Sequence, residues 1–92
     1  MPLLFSFGQY KVYFWSNENI PREPIHVHVA EGRPTENATK IWISRQGKTI
    51  VCHNRSNIPE PRLRLICRVI EANAEDIIMH WQKHFGEMTF YC

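Results

Sequence analysis

The segment Ile25-His26-Val27-His28-Val29 holds the side chains best spaced for chemistry. Its alternation predicts a strand that sends His26 and His28 to one face and Ile25, Val27 and Val29 to the other. The two imidazoles then stand on Cα atoms ~6.6–7 Å apart, close enough to share one metal ion or one anion. Imidazole also exchanges a proton near neutral pH, so the pair suits acid–base work on a ribose 2′-OH. The plain alternative is two histidines on a solvated strand, each hydrogen-bonded to neighbours. With the valines in a core, the histidines face outward, and Lys11, Tyr13, Trp15 and Trp42 can share their face. Such a basic, aromatic surface could hold phosphates and stack bases.

His80 and His84 form a second pair, one helical turn apart. HExxH sites use this spacing to chelate a metal, but Trp81-Gln82-Lys83 supplies no glutamate base here. The expectation is a partly buried His84 at the edge of an apolar stripe; approach to His26 or His28 is the sharper alternative. Glu23 and Glu31 flank the first pair, where either could orient an imidazole or complete a two-His-one-carboxylate set. Cys52 and His53 are adjacent, yet strand alternation parts them and argues against a Cys–His nucleophile. Arg62, Arg64 and Arg68, preceded by Arg55, form the basic cluster. Glu71 is the plain partner of Arg68; a phosphate or an acidic protein is the sharper one.

These groups need elements to hold them. Gln9 to Trp15 alternates Tyr10, Val12 and Phe14 against Lys11, Tyr13 and Trp15, and its aromatic and β-branched content predicts a strand. Gly8 parts it from the Leu3–Phe7 stretch, its expected hairpin partner. Ser16-Asn17-Glu18-Asn19 with Pro21 and Pro24 marks a loop before the histidine strand. Lys40 to Ser44 and Thr49 to His53 make two more strands about a Gln46-Gly47 turn. This spacing, without helices between, predicts an antiparallel meander of about 4–5 strands within about 3–54.

The period then changes. Leu63, Ile66, Cys67 and Ile70 form an apolar stripe, while Leu65 and Val69 imply cover on a second side. This first helix is expected over about 58–72, capped by Ser56 or Asn57 with Pro59 and Pro61 in its opening turn. A second is expected over about 74–85, capped by Asn73 and stopped by Gly86, with Ala74, Ile77, Ile78, Trp81 and Phe85 buried. The tail 87–92 is expected to dock as an extra strand or across a dimer. The expected fold class is α+β: a small antiparallel sheet followed by two helices packed on one face, in a single domain over 1–92.

Composition bounds the functions available. The 92 residues are 43% hydrophobic and 22% charged, which argues against a disordered chain. A net charge of +2 supplies no polybasic tail and no broad nucleic-acid footprint, although a local basic patch remains open. Cys52, Cys67 and Cys92 are odd in number and lack a CxxC pair, so neither a disulfide framework nor a zinc ribbon fits. No apolar run approaches the ~20 residues of a membrane span, and the first residues lack signal-peptide character. The expectation is a cytoplasmic protein.

Several ordered segments resemble the domain of unknown function 4160 family. They are Phe5-Ser6-Phe7-Gly8-Gln9-Tyr10-Lys11-Val12-Tyr13-Phe14, Ser16-Asn17-Glu18, His26-Val27-His28-Val29, Ala38-Thr39-Lys40-Ile41-Trp42-Ile43, and Ile78–Gly86 with Trp81, His84 and Phe85. The resemblance implies a short mixed α/β domain of bacteria and mobile elements, often encoded beside a second small protein as one half of a toxin–antitoxin-like pair. It assigns no activity and so no catalytic residue. Its recurring pieces fall at His26, His28, Trp42, Trp81 and His84. The chain departs from the pattern in the longer Ile20–Ile25 loop, in Thr49–Asn54 and after Gly86.

Three functions follow as expectations. The first is a toxin-like interaction module that binds through Tyr13, Trp15, His26, His28 and Trp42, with Arg64 and Arg68. Its partner would be a small protein, with RNA or DNA or a homodimer as alternatives and no membrane. The second is a metal-independent ribonuclease with His26, His28 and His84 as catalytic candidates. The third is a structural metal domain with His26 and His28 as ligands. No cofactor is expected.

Overall fold

The computed structural model describes residues 3–15 and 23–91. The Ser16–Asn19 loop, Pro21 and Cys92 lie outside the described residues. Strands β1 (Leu3–Phe7), β2 (Tyr10–Tyr13), β3 (His26–Glu31), β4 (Thr39–Ile43) and β5 (Thr49–His53) precede helices α1 (Glu60–Ala72) and α2 (Ala74–Phe85). Each strand pairs antiparallel with the next, so the five form a meander in chain order with β3 at its centre. The α+β arrangement expected from the sequence is the one observed. Among the described residues, no helix is long and apolar enough to cross a membrane.

One face of the sheet is the core. Val12, Phe14, Val27, Val29, Ile41 and Ile43 lie fully buried against Leu63, Ile66 and Ile70 of α1 and Ile77 and Trp81 of α2. Alternation in the strands and the i, i+3, i+7 spacing in α1 each turn one apolar side toward this layer. Leu65, by contrast, is 47% exposed while Val69 is half-buried, so the expected cover on a second side of α1 reaches Val69 but not Leu65. The tight β4–β5 turn needs Gly47, whose φ is 79° and whose added Cβ would meet the Ala74 Cβ at 3.3 Å. That contact sets the turn directly against the start of α2.

The helix ends differ from the sequence reading. The residue before α1 is Pro59, without a side-chain cap, while Asn57 sits at φ 56°. The loop is held from the sheet instead. Asn54 accepts from the Ile58 N–H at 3.0 Å through Oδ1 and donates through Nδ2 to the Ile58 carbonyl at 2.9 Å. The Thr39 hydroxyl donates to Asn54 Oδ1 at 2.6 Å, which leaves the Ser56 hydroxyl to donate to Thr39. Asn73 stands between the helices but does not cap α2 with its side chain; Nδ2 donates to the Val69 carbonyl at 2.8 Å and closes α1. Gly86 ends α2 as expected, left-handed at φ 77° with its N–H on the Gln82 carbonyl.

Two contacts tie the layers together. The Thr89 carbonyl accepts the Ile25 N–H at 2.8 Å, so the tail docks beside β3 without becoming a strand. Glu71 Oε2 accepts both the backbone N–H of Thr49 at 3.0 Å and its hydroxyl at 2.8 Å, pinning α1 to the edge strand β5. These bonds from the Thr49 backbone and then its side chain hold the Glu71 carboxyl below its ordinary 4.5. A depressed carboxyl contributes stability above its unfolded value that is lost as pH falls through its folded one. Glu71→Ala is therefore expected to cost roughly 2 kcal/mol at neutral pH in urea unfolding. That deficit should shrink in acid; a pH-independent deficit would show that the ionised carboxylate is not what holds Thr49.

Candidate functional site

Strand register assembles the site on the sheet face turned away from the helices. Tyr13 lies opposite His28, His28 opposite Lys40, and Lys40 opposite His53. Paired residues share a face, so these four side chains form one row across β2, β3, β4 and β5, at strand spacings of ~4.8 Å. A parallel row places His26 opposite Trp42 and Trp42 opposite Ile50. The β4–β5 pairing shifts between Lys40 and Ile41, and this irregularity is what puts His53 across from Lys40. Unbroken alternation from Ile50 would turn His53 toward the core face, so the irregularity and not the alternation delivers it to the histidine face.

The aromatic side chains knit the rows together. His26 and His28 stand edge to face with ring centroids 5.2 Å apart, and Tyr13 lies 5.6 Å from His28. Trp15 meets Tyr13 at 5.4 Å. Tyr91 of the tail lies parallel to Trp42, with 5.2 Å between centroids and 2° between planes. The expected binding residues Tyr13, Trp15, His26, His28 and Trp42 therefore come together on one face.

His26 is not the outward-facing group the alternation predicts. It is 1% exposed, and its ring lies against Trp42 at 5.4 Å and Trp81 of α2 at 5.3 Å. As the first residue of β3 it sits at the sheet margin, where α2 can reach it. His26 Nδ1 lies 2.9 Å from the Pro24 carbonyl, which can only accept, so Nδ1 carries the proton. Tyr13 is also fully buried, packed with Ala30 and Ala38. Trp15, His28, Lys40, Trp42 and His53 are half-buried and Tyr91 is exposed, so these members of the face are within reach of a ligand.

Positive charge gathers at the β4–β5 side. Lys40 Nζ pairs with Glu23 Oε1 at 3.0 Å and stands 4.5 Å from the Trp42 ring centre. Burial, then the charges of Arg55, Lys40 and His28, lower the pKa of His53. Its Nδ1 is buried and has no hydrogen-bond partner among the described residues. Neither Lys40 nor His53 stands out in the sequence as a site residue. Local pattern in β5, Thr-Ile-Val-Cys-His, gives no such signal, because the register irregularity decides the face of His53.

The remaining candidates fall elsewhere. Arg64 and Arg68 are exposed on α1, which packs on the opposite face of the sheet. Arg64 pairs with Glu60 at 3.3 Å, and Glu71 serves Thr49. His84 is exposed rather than partly buried, against Phe85 at 4.7 Å and Phe14 at 5.5 Å. With Phe14, His80 and Lys83 it lines a shallow cavity of about 330 Å³. The path of ring contacts from His84 to His26 runs through Phe14 and Trp81. Among the described residues, no three His, Cys, Asp or Glu side chains come together to hold a metal ion. Burial, followed by the Glu71 and Glu60 charges, raises the Cys67 thiol despite an opposing hydrogen bond from Thr49.

A meander with both helices on one face and an imidazole–ammonium row on the other defines a single-sheet α+β domain. Residues 10–82 match the model of the domain of unknown function 4160, and the chain belongs to that family. The matched span contains the whole Tyr13–His28–Lys40–His53 row but neither His84 nor the tail. No curated protein and no solved structure matches the chain.

The lowered pKa of His53 carries a stability consequence. The unfolded chain binds this proton first, near 6.5, so stability is complete above that value and falls as pH drops toward the folded pKa. Urea midpoints between about pH 7.5 and about pH 5 should fall less in His53→Gln than in the parent. Equal slopes would place the acid sensitivity elsewhere.

Proposed function

We propose that the protein is a small interaction module that engages a partner protein through the His28–Lys40–His53 face and the Trp42 beside it. The supporting observation is the row itself: a continuous, half-buried band of imidazole and ammonium groups flanked by large aromatics, on the face opposite the helices. Aromatic anchors ringed by polar groups are the composition of binding surfaces. We take the partner to be the small protein expected to be encoded beside this one, with this chain as the toxin-like member of the pair.

A second reading is a metal-independent ribonuclease. His28 and His53 flank Lys40 in the row, and a neutral His53 could take a proton while Lys40 steadies a phosphate. It predicts a bell-shaped pH dependence of RNA cleavage that His28→Ala or His53→Ala abolishes.

The module reading is tested by hydrogen exchange on the complex with that neighbouring protein. Protection should map to β3 and β4, and Trp42→Ala should weaken the complex about thirty-fold, as an interface anchor does. Protection confined to α1 and α2, with full affinity in Trp42→Ala, would overturn it.

A further inference from the structure

We infer that this sheet face takes single-stranded nucleic acid, stacking a base on Tyr91 and holding phosphate between Lys40, His28, His53 and Arg55. The inference rests on the same face being the working surface and gives it a ligand besides the partner protein. Its geometric basis is a pair of contacts on Trp42. The Lys40 ammonium lies 4.5 Å from the Trp42 ring centre, and Trp42 lies parallel to Tyr91. Tyr91 is 59% exposed, which leaves it accessible to a base. The tail that carries it is anchored by the bond between the Ile25 N–H and the Thr89 carbonyl, so the plate is set in place.

The charges lie where a nucleotide bound there would need them. The row His28, Lys40, His53 crosses β4 at Lys40, two residues from Trp42, and spans two strand spacings, ~10 Å, at right angles to the strand. Arg55 follows His53 and acts electrostatically on it, which places a further cation at that end. Glu23 pairs with Lys40, with side-chain exposures of 36% and 16%, so a phosphate would take the place of the Glu23 carboxylate on this ammonium. An acidic peptide would use the cations and leave the exposed aromatic plate without a role. Duplex bases are stacked on each other, whereas a single strand offers free π faces and a flexible backbone. The aromatic plate and the cations together therefore favour the single strand over either alternative.

Fluorescence anisotropy with the full chain and a labelled twelve-nucleotide oligouridine tests this directly, in comparison with the same strand paired to oligoadenosine. The single strand should bind at least about ten-fold tighter than the duplex, and Tyr91→Ala should cost about five-fold or more, the lower range for base stacking. Tyr91→Phe should restore binding, because it keeps the plate and loses only the hydroxyl. Lys40→Gln should reduce the salt slope by about one phosphate contact, and Arg62→Ala on exposed α1 should change nothing. Equal affinity for duplex, an unchanged Tyr91→Ala, or displacement by polyglutamate as effective as by unlabelled oligouridine would overturn the inference. Failure here with the partner protein still protecting β3 and β4 would remove the nucleic-acid ligand and leave the module reading intact. Protection of the helices alone, with Tyr91 still governing oligonucleotide affinity, would do the reverse.

Discussion

The burial of Val27 and Val29 fixes everything on the other side of the sheet. Both are fully buried, opposite Ile41 and Val12 respectively, in the layer that receives α1 and α2. Each such side chain contributes about 1.5–3 kcal/mol by leaving water. A one-residue slip of β3 would turn the valines out and bring His26 and His28 in, losing that burial and desolvating imidazoles. The apolar face therefore specifies the register, and the register builds the polar row. The chemistry-bearing groups add contacts of their own, such as the Lys40–Glu23 pair, but residues that do no chemistry decide which face they occupy.

The two histidines consequently have different work. His26 is enclosed between Trp42 and Trp81, with Nδ1 donating to Pro24, and it joins the sheet margin to α2. His28 is half-buried between Tyr13 and Lys40 and presents its ring with the row. The sequence spaces them identically, so only their positions along β3 distinguish a packing histidine from a presenting one. The indole Nε1 of Trp81 is buried without a hydrogen-bond partner among the described residues, which marks this corner as a place where aromatic packing outweighs polar satisfaction.

Much of the architecture is legible in local patterns. Alternation marks the strands, the apolar spacing of Leu63, Ile66 and Ile70 marks α1, and Gly86 marks the end of α2. The binding residues on β2, β3 and β4 can be grouped from alternation alone, because alternating positions share a face. What local pattern cannot carry is long-range. Asn54 rather than Ser56 or Asn57 orders the entry to α1, because its bond to Thr39 comes from a strand distant in sequence. The irregularity between Lys40 and Ile41 decides which residue faces Lys40, and Tyr91 reaches Trp42 only once the tail has folded back. Arg64 and Arg68 look like part of a binding surface in a one-dimensional list of cations, yet they stand on a helix behind the sheet.

Every role assigned to this face depends on the row across β2 to β5. Cross-strand nuclear Overhauser effects in the labelled protein report it without any ligand or partner. Backbone contacts should link Tyr13 with His28, His28 with Lys40, and Lys40 with His53. Contacts displaced by one residue, with Val27 or Val29 opposite Lys40 in place of His28, would contradict it.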